Sequence, residues 1–93
     1  MNLQSNEYRL AQQAKAEEYR AKMCGKVYKH FKGNLYQVDL IAIHSETSEL
    51  RVIYHSVDNP KYCWDRELEM FLSPVDKVKY PDVEQELRFE PVD

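Results

Sequence analysis

LYQVDLIAI, residues 35–43, and ELRVIYHSV, residues 49–57, decide the fold of this 93-residue chain. Both runs are rich in β-branched and aromatic residues with period-two alternation, and the polar stretch HSETS (residues 44–48) joins them. Two such runs across a short polar connection form an antiparallel hairpin. Strict alternation sets Tyr36, Val38, Leu40 and Ala42 on one face of the first run, and Leu50, Val52 and Tyr54 on one face of the second. Towards the N-terminus, residues 26–31 (KVYKHF) alternate as a further strand, and Lys32-Gly33-Asn34 is its turn. Towards the C-terminus, Asp58-Asn59-Pro60-Lys61 is a strong turn signal, and residues 62–66 give a fourth strand. Leu68 to Leu72 reads as one helical turn leading to Pro74. Residues 73–85 form a charged, proline-containing loop, and residues 86–92 close as a fifth strand. Full closure removes the exposed edges of such short strands. The expectation is therefore a mainly β chain, a small five-stranded SH3-like barrel, with an added N-terminal α-helix.

That helix is read from residues 5–24, a segment dominated by Ala, Gln, Glu, Lys and Arg with no Gly or Pro. Ser5 or Asn6 caps its start, and Gly25 stands where a C-terminal cap is expected. The chain divides into an arm, residues 1–24, and a body, residues 25–93. Leu3, Leu10, Ala14 and Ala21 form one narrow stripe on the arm, and Tyr8, Tyr19 and Met23 a second. Stripes this thin leave a lone helix marginal in water, so it must dock, on its own body or on another chain. The first stripe is expected to pair two arms, making a homo-oligomer.

Charge is unevenly shared. Residues 1–33 hold seven Lys/Arg against three Asp/Glu, +4, and residues 34–93 hold six against thirteen, −7. An acidic body argues against duplex DNA, whose binding rests on phosphate neutralisation. No apolar run is long enough for a membrane span, and the N-terminus lacks a signal peptide's apolar core. The cytoplasm is the expected location. Cys24 and Cys63 match no metal spacing and are expected as reduced, buried, small hydrophobes. Seven of the eleven aromatic residues are Tyr, which favours half-buried and interfacial rings.

Three motifs and a terminal triplet carry a resemblance. The stretch from Gly25 through Tyr28-Lys29-His30-Phe31-Lys32-Gly33 to Val38, then Ile41 through His44-Ser45-Glu46-Thr47, then Trp64-Asp65-Arg66-Glu67-Leu68-Glu69-Met70-Phe71, together with Arg88-Phe89-Glu90, resemble a bacterial and phage family of short domains of unknown function. The resemblance implies a compact SH3-like β-barrel and carries no biochemical role. Glu67 stands where that family usually has Pro, and the polar connection from His55 to Cys63 replaces its usual Tyr-Gly turn. Most members begin near Gly25, so the arm is an addition.

The candidate chemistry sits on turns and strand ends. His44, Ser45, Glu46 and Thr47 cluster polar side chains on one rim, as binders of hydroxyls, phosphate or peptide backbone or as local turn caps. His30 and Lys32 flank a turn and suit phosphate or carboxylate, or simply solvent. Trp64 and Arg66, at i and i+2, share a strand face and make a platform for a flat ring with a guanidinium for an anion. Tyr28, Tyr36 and Tyr54 either complete such a pocket or fill the core. His30, His44 and His55 with Glu46 show no ligand spacing, so no metal, no cofactor and no catalysis is expected. The reading is a non-enzymatic binding protein for a small anionic or nucleotide-like ligand at the barrel rim. A peptide or partner protein is the alternative, and single-stranded RNA the third.

Overall fold

The computed structural model describes residues 5–92. Its elements run α1 (Asn6–Met23), β1 (Val27–His30), β2 (Leu35–Ile43), β3 (Leu50–Ser56), β4 (Cys63–Glu67), α2 (Leu68–Phe71) and β5 (Phe89–Pro91). The strands form one antiparallel sheet in the order β4-β3-β2-β1-β5. The turns are where the sequence places them. Gly33 takes a φ of 108° between β1 and β2. Gly25 takes 86° after an extended Cys24, and the Lys26 N–H donates to the Met23 carbonyl at 3.1 Å. This is a turn with positive φ at its third residue, which glycine enters without steric cost.

Alternation fails at one point. The β2–β3 register shifts between Val38 and Leu40, so one extra residue is accommodated there. Val38 and Ile41 are both buried, whereas Leu40 is 55% exposed. The inner face of β2 is thus Tyr36, Val38, Ile41 and Ile43, and not the strict series through Leu40 and Ala42. On β3 the inner face is Leu50, Val52 and Tyr54, as read from sequence. These residues, with Tyr28, Leu68, Phe71 and Phe89, make the core. Phe71 of α2 plugs the concave side, stacked on Phe89 at 4.0 Å and edge-on to Tyr28 and Tyr54 at 5.3 and 5.4 Å. Such ring geometries add about 0.5–1.5 kcal/mol per pair beyond area burial.

The helix folds back on its own sheet. Ser5 Oγ accepts the Tyr8 N–H at 3.0 Å, so of the two candidates Ser5 is the cap and Asn6 begins the helix. Ala16 and Met23 are buried in the core cluster, with Tyr19 packed against it. Gln12 donates from Nε2 to the Ser48 carbonyl, and Arg20 from Nη2 to the Ile41 carbonyl, both at 3.0 Å. At 100° per residue this face lies roughly 160° from the Leu10–Ala14–Ala21 stripe. Those three side chains are exposed, Leu10 at 56%. Leu3 lies outside the described residues. The docking stripe is therefore the second one, ending at Tyr19 and Met23.

The sheet is open. Among the described residues no backbone pairing joins β4 to β5, so the closure expected of a barrel is not made. β5 has only three residues and ends in Pro91, which has no N–H to extend a ladder. Curling of the sheet brings the two edges near each other through side chains, with the Arg66 guanidinium 5.6 Å from the Phe89 ring centre.

Candidate functional site

The seam between the two edges is a cleft. His30, Tyr36, Tyr54, Trp64, Arg66 and Phe89 line an open volume of about 220 Å³. Register explains the gathering. His30 of β1 faces Phe89 of β5, Tyr36 of β2 faces Tyr28 of β1, Tyr54 of β3 faces Trp64 of β4, and Val52 faces Arg66. Facing residues in an antiparallel pair share a side of the sheet, so all six project from the concave face.

Aromatic rings brace the walls edge to face. Tyr36 meets Tyr54 at 5.4 Å, Tyr54 meets Phe89 at 5.6 Å, and His30 meets Phe89 at 4.9 Å. Arg66 donates from Nε to the Tyr54 hydroxyl at 3.3 Å while its guanidinium lies over Phe89. Among the described residues no carboxylate is ion-paired with it, in contrast to Arg20 and Arg51. None of the six lining residues is acidic.

His30 is neutral at ordinary pH. Burial pushes its pKa down to about 4, and the nearby Arg66, Arg88 and Lys32 cations add to the effect. Its Nδ1 accepts the Lys32 backbone N–H at 3.1 Å, which leaves the ring proton on Nε2 as a donor. The cleft therefore offers flat apolar walls, one guanidinium and one neutral N–H donor. That set suits a planar ring carrying an anionic group.

Of the residues singled out in the sequence, His30, Tyr36, Tyr54, Trp64 and Arg66 come together here. The others do not. His44, Ser45, Glu46 and Thr47 form the β2–β3 turn, at the far end of β2 from Tyr36 and roughly 23 Å away at about 3.3 Å per residue. There His44 Nδ1 accepts the backbone N–H groups of Glu46 and Thr47 at 3.1 and 3.3 Å, a turn-building role. Ser48 completes that turn with a φ of 61°. Lys32 projects from the β1–β2 turn with its ammonium 5.6 Å from the Tyr80 ring centre, and it does not line the cleft. His55 Nδ1 pairs with Asp39 at 2.8 Å, away from the other two histidines. Cys24 packs beside the core, whereas Cys63 is exposed at the start of β4, contrary to the burial expected of it.

One wall of the cleft, Phe89, is not assigned from sequence, and Tyr36 is offered there only as a pocket or core residue. Phe89 sits in the Arg-Phe-Glu triplet, and its neighbours have structural tasks: Arg88 donates from Nε to Ser73 Oγ, and Glu90 accepts the Glu86 and Leu87 N–H groups. The triplet was the available signal, but its strand had no visible partner in the sequence.

A family model matches residues 26–91, which include every residue of the cleft. The chain belongs to that family, described as a protein of unknown function (DUF1653). α1 precedes the matched part of this DUF1653 chain. No curated protein and no solved structure matches it. Among the described residues, no helix is long and apolar enough to cross a membrane, and no group of three or more His, Cys, Asp or Glu is placed to hold a metal ion.

Proposed function

We propose that this protein is a non-enzymatic binding protein that captures a small anionic ligand with a planar ring, of the nucleotide type, in the Trp64–Arg66 cleft. One observation carries the reading: an arginine that has no carboxylate partner among the described residues stands among five aromatic rings in an open cleft. The ring of such a ligand would stack against Trp64 or Tyr36, and its phosphate would meet Arg66, with His30 Nε2–H donating alongside. Separation of His30, His44 and His55 onto three parts of the fold supports binding without turnover. The curled strand order and the seam bridged by Arg66 and Phe89 support an SH3-like barrel opened at one joint. Two free cysteines support a cytoplasmic setting.

Calorimetry of the full chain against mono-, di- and cyclic nucleotides tests the reading. Saturable heat for at least one class, lost in Arg66→Gln, is expected. Absence of heat for all of them, with the fold intact by circular dichroism, would sink it. A second reading, capture of a partner protein, draws on a groove of about 690 Å³ whose walls include Val27, Leu35, Val57 and Val92. A stoichiometric protein partner that survives Arg66→Gln would favour that reading.

A further inference from the structure

β4 ends the sheet, and among the described residues no strand pairs with its outer edge. The Ser56 N–H donates to the Tyr62 carbonyl at 3.2 Å, which sets the phase of the β3–β4 ladder. Tyr54–Trp64 and Val52–Arg66 are then hydrogen-bonded pairs, so Cys63 and Asp65 turn both backbone groups outward and Glu67 turns its N–H outward. Edges are normally blunted by Pro, Lys or a bulge. β4 has none of these, whereas β5 ends in Pro91. The charges β4 does carry, Asp65, Arg66 and Glu67, limit which register a pairing strand can take. Trp64, 48% exposed, stacks beside an exposed Tyr62 at 6.3 Å.

We propose that β4 pairs with β4 of a second copy of this chain, antiparallel about a two-fold axis at Trp64. Hydrogen bonds form between outward-turned residues, which places the centre at residue 63, 64, 65 or 66. A centre at 63 pairs only Cys63 with itself between strand residues, two hydrogen bonds against four at 64, because Lys61 lies in the turn before β4. A centre at 65 opposes Asp65 to itself. A centre at 66 opposes Arg66 to itself and Asp65 to Glu67. A centre at 64 opposes no like charges: Lys61 faces Glu67, Tyr62 faces Arg66, Cys63 faces Asp65, and the two Trp64 rings meet on the axis. The ladder then uses the N–H and C=O groups of Cys63 and Asp65, which have no partner strand among the described residues. The second Trp64 also borders the first copy's cleft, so each copy adds an aromatic wall to the other. The pairing needs no ligand, and its failure leaves the cleft reading untouched.

Sedimentation of the full chain over rising concentration is the test. The mass should climb from 11.1 kDa towards a dimer. Lys61→Glu should weaken association about tenfold through two like-charge pairs, and adding Glu67→Lys should restore it. Asp65→Cys should give a covalent dimer on oxidation, since directly opposed Cα atoms lie about 5.5 Å apart. Wild-type Cys63 faces Asp65 and should not cross-link. A constant 11.1 kDa at every concentration overturns the proposal. So does a dimer indifferent to Lys61→Glu but abolished by Leu10→Glu, which would place the contact on α1.

Discussion

His30 ties the cleft to the stability of the fold. Its pKa lies at about 4, below the ordinary 6.5, because burial and then Arg66, Arg88 and Lys32 disfavour the charged ring. The unfolded chain therefore binds the proton more readily, and stability rises with pH across that window. The contribution is complete above pH 6.5 and is lost progressively as pH falls towards 4. Glu49, held below the usual carboxylate range by its hydrogen bond from Arg51, has the same sign but acts at lower pH. Urea midpoints measured between pH 7 and 5 should therefore fall for the wild type. In His30→Gln that part of the slope should flatten, and an unchanged slope would remove His30 from the account. An anion seated at Arg66 would offset the positive field on the imidazole, so ligand affinity should also increase as pH is lowered.

At the scale of elements, the bulge in β2 makes a prediction that alternation alone would invert. Ile41→Ala should cost about 2–5 kcal/mol, as large-to-small core changes do. Leu40→Ala should stay within about 0.5 kcal/mol, as for surface sites. Equal effects in urea unfolding would contradict the register. The strands themselves were legible because turns and alternation are local. Residues 35–43 were read with the bounds that β2 has. The bulge was not legible, because one extra residue between Val38 and Leu40 leaves no mark in composition. The docked face of the arm was legible only in part. Leu10, Ala14 and Ala21 stand out by hydrophobicity, but the docked face combines Ala16, Tyr19 and Met23 with Gln12 and Arg20 bonded to sheet carbonyls. Polar residues that dock by donating to backbone look like solvent residues in a sequence. Trp64 and Arg66 were readable as i and i+2, whereas Phe89 reaches them only through the curl of the sheet.

The whole molecule depends on α1 although the family match begins after it. Met23 and Ala16 cover the core, and loss of a Met side chain alone costs about 2–5 kcal/mol. Domains have only about 5–15 kcal/mol in hand. A chain starting at Gly25 should therefore be strongly destabilised, with a lowered melting temperature by circular dichroism. A truncated chain as stable as the parent would show that the docked helix contributes little. The central claim concerns the cleft, and the protein carries its own probe there, because Trp64 is its single tryptophan. At fixed protein concentration, titration of Trp64 fluorescence with mono-, di- and cyclic nucleotides should give a saturable change for at least one of them. In Arg66→Gln the affinity should fall about tenfold or more, as expected for a lost charge-assisted contact. A flat response to every nucleotide, or one equally strong in Arg66→Gln, would contradict the assignment.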